Sequence, residues 1–316
     1  MQRQVPGTRG PEIVAASPAM ERVKEALERV AGTDVPVVLY GEVGVGKSLA
    51  SRFVHSRSHR GLGPFARLSM RDEGALRTLG DPGFLASLEG GTLVLEGLDE
   101  APVRVQVRLL GVLESWGAAE EGEPPPPVRV IATATRDLRS LVGEGRFRAD
   151  VCYLVEVFPI RIPPLRERYE EIPTLVRHLF RRHAPGVPFP GIPAEFLERA
   201  GAYPWPGNVR ELENLVRTSL PVGPGGLWEP QALLPRDAGS VPVVPFAEAK
   251  RAFEREYVSR ILLITAGNVT RAARVAGKAR KDFYTLMARN EIDPTVFRPA
   301  RAGREGWQPG PPGESG

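Results

Sequence analysis

The chain of 316 residues has a single cysteine, Cys152, and four histidines, at positions 55, 59, 178 and 183. One thiol excludes an internal disulfide, and the scattered imidazoles make none of the paired spacings that metal sites use. Cys152 therefore reads as a core residue. Aromatic residues are few, at 7%, and no apolar run approaches the ~20 residues of a membrane span. The opening MQRQVPGTRG has no apolar stretch of the signal-peptide kind, so no membrane partner and a cytoplasmic location are expected. Glycine and proline, in contrast, are abundant at 34 and 32 residues, short of the ~25–30% combined share that marks low complexity. With 42% apolar and 25% charged positions, the composition is that of a globular chain with room for two or three domains.

The formal net charge of +4 is unevenly placed. Between Asn268 and Arg289 the basic residues Arg271, Arg274, Lys278, Arg280, Lys281 and Arg289 face Asp282 alone, which leaves the rest of the chain close to neutral. A local basic cluster of this kind suits a phosphate-backbone partner.

Periodicity organises the remainder. AMERVKEALERV (19–30) has helical spacing and leads into the apolar run VPVVLY. A glycine-rich turn, GEVGVGKS, follows directly and opens a second helical pattern. GTLVLE (91–96) and VRVIATA (128–134) read as further buried strands, with an amphipathic helix between them through Val105, Leu109, Val112 and Leu113. Strands alternating with helices predict a parallel sheet covered on both faces. From Pro163 the strand signals stop, and IPTLVRHLFRRH, PAEFLERAGAY and NVRELENLVRTSL give three helices. Residues 223–245 have linker composition, 246–292 give three helical patterns, 117–127 form a polar proline-rich loop, and the final residues lack apolar periodicity.

Gly41, Glu42, Val43, Gly44, Val45, Gly46, Lys47 and Ser48 fit the G-x-x-x-x-G-K-[ST] pattern between a strand and a helix, with Leu49 next in line. Such a turn points successive amides at a nucleotide's phosphates, and the helix N-terminus adds partial positive charge. ATP or ADP is the expected ligand. Lys47 is expected on the β- and γ-phosphates, and Ser48 on a magnesium ion shared with Glu96 at the end of the second strand. Hydrolysis also needs a group that orients water, and the position after Glu96 is Gly97. Asp99 and Glu100 lie beyond the strand end and would need an unusual backbone path to serve. Efficient turnover is therefore not expected, and the chain reads as a binding protein.

Together SPAMERV, GEVGVGKS, GPF, EGGTLVLE, VQVRLLGVLE, VRVIATATRDL, FPIRIPPLRER and YPWPGNVRELEN resemble the central AAA+ ATPase domain of sigma-54-dependent bacterial transcription activators, the NtrC-like enhancer-binding proteins. The resemblance implies an α/β fold, a P-loop NTPase parallel sheet with a helical lid subdomain, plus an all-α helix-turn-helix domain of Fis type. The implied domains are an N-terminal extension (1–12), the α/β core (13–165), the lid (166–235), a linker (236–245), the DNA-binding domain (246–293) and a disordered tail (294–316). It places the second nucleotide sensor on Arg210 and the first on Ala134 and Thr135. Of two trans-acting arginines, the first falls on Arg148, which reads equally as a surface residue, and the second position holds Leu154.

The family's GAFTGA loop, which contacts the sigma factor, has no counterpart between Phe65 and Gly90. Sigma-54 RNA polymerase is therefore not an expected partner. The alternative is an active ATPase that remodels the sigma-54 holoenzyme, with Asp99 or Glu100 substituting for the missing acid.

At the basic end, GNVTRAARVAGKARKDFYTLMARNEI looks like the helix-turn-helix. It leaves Lys278, Arg280, Lys281, Asp282, Thr285 and Arg289 for double-stranded DNA while Phe283, Leu286 and Met287 face a core. Self-association is expected, as a dimer through this end or as a ring. Tyr257, Ile261 and Ile264 form either a dimer stripe or ordinary core.

Overall fold

The computed structural model describes residues 11–117, 127–220, 230, 234 and 245–297. The anticipated N-terminal extension as far as residue 10, the acidic loop at 118–126, the linker at 236–244 and the tail beyond 297 lie outside them. The chain divides into two compact units, Met1–Val241 and Pro242–Gly316.

The first unit opens with α1 (Pro18–Ala31), whose first turn is capped by Ser17 Oγ accepting from Met20 N. It continues through β1 (Val37–Tyr40), α2 (Lys47–Arg57), β2 (Phe65–Ser69), α3 (Gly74–Gly80), α4 (Pro82–Ala86) and β3 (Thr92–Glu96). Next come α5 (Val103–Trp116), β4 (Arg129–Ala134), α6 (Leu138–Gly143), α7 (Ala149–Val155) and β5 (Phe158–Arg161). The five strands pair in parallel in the order β2-β3-β4-β1-β5.

Alternate residues of each central strand serve opposite faces, as the two-residue period of a strand requires. Val37, Leu39, Val94 and Ile131 pack with α1 and α2, while Val38, Tyr40, Leu93, Leu95 and Ala132 pack with α5. The three central strands follow the expected runs. The edge strands β2 and β5 carried no such signal. FARLS is only partly buried, and FPIR contains Pro159, which an edge tolerates.

The three expected lid helices form as α8 (Ile172–His183), α9 (Ala194–Ala202) and α10 (Asn208–Thr218). They close around Trp205, Phe180 and Phe196, all fully buried. The second unit contains α11 (Phe246–Ile264), α12 (Val269–Val275) and α13 (Arg280–Arg289), with a core of Val258, Leu262, Ala272, Phe283 and Met287. Among the described residues no helix is long and apolar enough to cross a membrane.

Candidate functional site

The glycine-rich turn runs from the end of β1 into α2. Gly44 has φ +83, and a Cβ there would lie 2.1 Å from the carbonyl oxygen of Gly207, so only glycine fits both the backbone and the space. That contact seats the turn against the loop that opens α10. Lys47 Nζ donates to the carbonyls of Gly41 and Glu42, the latter at 3.0 Å. Burial holds the Lys47 ammonium below its usual range; Arg71 and Arg210 push the same way, while Asp99 and Glu100 oppose them. Those four charged side chains are therefore near enough to act on the lysine's charge.

The lid grips the turn through buried and half-buried polar groups. Asn208, fully buried, accepts from Leu165 N at 2.8 Å and donates to Glu42 Oε2 at 3.1 Å and to Val43 O at 3.0 Å. Arg166 adds a two-pronged ion pair to Glu42 at 2.6 and 2.9 Å. Arg166 and then Asn208 are what hold the Glu42 carboxyl down at about 2. Arg168, also buried, donates to Val45 O at 3.0 Å and pairs with Glu171 at 3.1 Å. Glu171 in turn accepts from Ala16 N, Ser17 N and Ser17 Oγ. Arg210 lies in the first turn of α10, exposed, with its amide on Gly44 O at 3.3 Å.

The acidic side of the site departs from the sequence expectation. Gly97 adopts the left-handed conformation (φ 67, ψ 44), and residues 98–100 form one 3-10 turn. This is the unusual path that Asp99 required. Its Oδ2 accepts from Thr135 N at 3.1 Å and Arg136 N at 2.9 Å, at the end of β4, while its buried Oδ1 has no hydrogen-bond partner. Asp99 thereby holds the backbone at Thr135, expected as the first sensor. Arg71, which the sequence reading missed, pairs with Glu100 at 3.0 Å and lies where a Cβ on residue 97 would point.

Ser48 and Glu96 do approach one another, with Oγ and Oε1 3.4 Å apart. The group between them, however, is the guanidinium of Arg67 from β2. Its Nε and Nη2 lie 2.9 and 2.6 Å from Glu96 Oε1, and Nη2 lies 3.4 Å from Ser48 Oγ. A cation already neutralises the carboxylate that was expected to serve magnesium. Among the described residues no three His, Cys, Asp or Glu side chains converge on a metal position. The two groups expected to hold magnesium, Ser48 and Glu96, thus share the guanidinium of Arg67 in this structure.

Arg148 precedes α7, exposed, with its guanidinium on Asp150 at 2.6 and 3.0 Å. Leu154 packs against the core.

In the second unit, α12 and α13 join through a turn at Gly277, which has φ +62. Asn268 caps α12 by accepting from Arg271 N at 3.1 Å. Lys278 lies in the turn, and Arg280, Lys281, Asp282 and Thr285 stand exposed on α13. Arg289, half exposed, is bonded to Glu254 on α11, beside Asn290, and so also ties α13 to α11. Tyr284, unforeseen, is exposed and meets the Arg280 guanidinium 5.6 Å from its ring centre, an (i, i+4) pair that spacing could have revealed. Of the expected stripe, Ile261 is buried in the unit's own core, because its face of α11 covers α12. Tyr257 and Ile264 are exposed, in line with exposed Phe246 and Phe253.

A parallel sheet, a phosphate-loop turn at the head of α2 and a helical lid pressed on that turn define the class: an AAA+ P-loop NTPase fold. The comparisons are narrower. Residues 14–165 match the sigma-54 interaction domain and residues 166–240 the AAA+ ATPase lid domain. The chain is 35% identical to the transcriptional regulatory protein GlrR of Escherichia coli (strain K12) over 314 residues, covering 90% of this chain and 69% of that one. It is 40% identical to the DNA-binding transcriptional regulator NtrC of Azospirillum brasilense over 225 residues, 65% of this chain and 47% of the relative. The crystal structure of NtrX from Brucella abortus in complex with ATP superposes with a TM-score of 0.62 at 27% identity, covering 89% of this chain and 69% of that one. NtrX was also solved with ADP. This chain belongs to the sigma-54 activator family of transcriptional regulators, to which GlrR and NtrC belong.

Proposed function

We propose that this chain is a sequence-specific, double-stranded-DNA-binding transcriptional regulator whose AAA+ module binds ATP or ADP but is impaired in hydrolysis and in sigma-54 contact. The single observation that carries the nucleotide reading is the turn at 41–48, closed by Lys47 and clamped by the lid through Asn208, Arg166 and Arg168. The ATP and ADP complexes of NtrX support the same ligand class. Gly41 to Leu49, Thr135 and Arg210 are the residues assigned to it. Gly97 after Glu96 supports weak hydrolysis, and the Arg67 contact argues against a magnesium ion held by Ser48 and Glu96. Between β2 and β3 the chain is taken up by α3 and α4, which supports the loss of a projecting sigma-contact loop.

DNA binding is assigned to Lys278, Arg280, Lys281, Asp282 and Thr285, on the exposed side of α13 and its preceding turn. Self-association is assigned to Phe246, Phe253, Tyr257 and Ile264 on α11, with Arg148 kept as a candidate trans arginine should a ring form. The cytoplasm, where DNA is accessible, is the expected location.

A second reading, an active ATPase acting on the sigma-54 holoenzyme, is favoured by one observation: Asp99, held at the end of β4, keeps a buried carboxylate oxygen without a hydrogen-bond partner. Steady-state phosphate release and nucleotide titration on the wild type and Lys47→Ala separate the two. Tight binding without release, lost in Lys47→Ala, is expected. Turnover abolished by Lys47→Ala and Asp99→Asn would replace the first reading with the second.

A further inference from the structure

Arg67 is a residue for which neither the motif nor the fold has a use. It lies in the middle of edge strand β2, opposite Val94 of β3, and is little more than one-third exposed. An arginine there could extend into solvent. Instead its side chain rises along the sheet to the mouth of the phosphate turn and meets two groups from different elements. Glu96 closes β3, and Ser48 stands in the first turn of α2. These are the hydroxyl and the carboxylate that would otherwise converge on a divalent ion.

Charge decides what can share this position. The carboxylate of Glu96 is matched by one guanidinium at 2.6 Å. A second cation placed there would face a like charge within a few ångströms, and residue 97, a glycine, adds no carboxylate beside Glu96. The guanidinium also has donors to spare. Nε and Nη2 share one oxygen of Glu96, and a planar fork with remaining N–H groups is suited to phosphate oxygens.

We infer that Arg67 is the resident cation of this nucleotide site, and that the chain binds the diphosphate part of a nucleotide without a divalent metal. The inference rests on the nucleotide reading above, and the test keeps the two apart. Titrate ADP by calorimetry into the wild type, Arg67→Ala, Arg67→Lys and Lys47→Ala, each in excess magnesium and in excess EDTA, with folding checked by circular dichroism. The wild-type dissociation constant is expected to differ by less than about threefold between the two buffers. Arg67→Ala is expected to bind about tenfold or more weakly in EDTA and to recover in magnesium, a difference of about 1.4 kcal/mol. Arg67→Lys, which keeps the charge without the fork, falls between.

Wild-type binding that collapses in EDTA while remaining tight in magnesium overturns the role of Arg67 and leaves the nucleotide reading standing. Arg67→Ala binding as the wild type does in both buffers also overturns it. No ADP binding by the wild type in either buffer refutes the nucleotide reading itself, and the inference falls with it.

Discussion

His55 on α2 offers a quantitative handle on how the phosphate-turn helix is held to the sheet. The ring is 1% exposed, packs on Phe65 with centroids 4.9 Å apart, and places Nδ1 2.9 Å from Thr92 Oγ1 at the start of β3. Burial, and then the nearby Arg129 guanidinium, lower its pKa from 6.5 to about 4. Protonation would also leave an N–H at Nε2 with no acceptor. The unfolded chain therefore takes up this proton more readily than the folded one. The stabilisation is complete above pH 6.5, shrinks as pH falls, and is gone once pH passes below about 4. A difference of this size corresponds to about 3 kcal/mol over that window, with a limiting slope of about 1.4 kcal/mol per pH unit.

The assay is urea unfolding, followed by circular dichroism at a series of pH values from neutral to about 4, on the wild type and His55→Gln. Glutamine retains a hydrogen-bonding group for Thr92 and does not titrate. The variant is expected to lose less stability than the wild type across the window, whatever its starting value. Parallel curves would refute the reasoning, because the acid loss would then belong to carboxylates alone.

Further outcomes are expected at the lid and on α13. Asn208→Ala strands the Leu165 amide and the Val43 carbonyl, so thermal and urea unfolding should register a loss of roughly 3 kcal/mol. Arg166→Ala, at a half-exposed ion pair, should cost under about 1 kcal/mol in the same assay; equal losses would contradict the clamp as described. On the face proposed for DNA, Arg280→Ala and Lys281→Ala should each lower the salt slope of binding by about one, as measured in gel shifts at several salt concentrations. Arg289→Ala should lower the melting temperature of the bundle and leave that slope unchanged.

The central strands were legible because burial on both faces demands continuous aliphatic runs, as in VVLY and TLVLE. The lid helices were legible because each carries a single apolar stripe. The edge strands were not, since FARLS and FPIR are stabilised mainly by pairing with a neighbour that local sequence does not encode. The loss of β2 had a consequence at the site. Arg67 meets Glu96 only through the parallel register of β2 with β3, so a reading that lacked the strand could not find the contact. Asp99 was considered and set aside because its approach depends on Gly97 taking a positive φ, which glycine permits but does not announce. The burial of Ile261, left open between dimer stripe and core, and the pairing of Arg289 with Glu254 were not legible, because a helical stripe shows where apolar and charged residues recur, not which neighbouring helix covers them.

The Arg168–Glu171 pair also bears on the order of folding. It joins the phosphate turn at Val45, the entry to the lid, and the start of α1 at Ala16 and Ser17, across a sequence separation of 154 residues between Ser17 and Glu171. Such a joint gains nothing until the sheet has collapsed and the chain has come back to its own beginning. It is therefore expected to close late in folding and to be among the first contacts released in unfolding. The lid and α1 would then loosen together, while the strands beneath them stay paired.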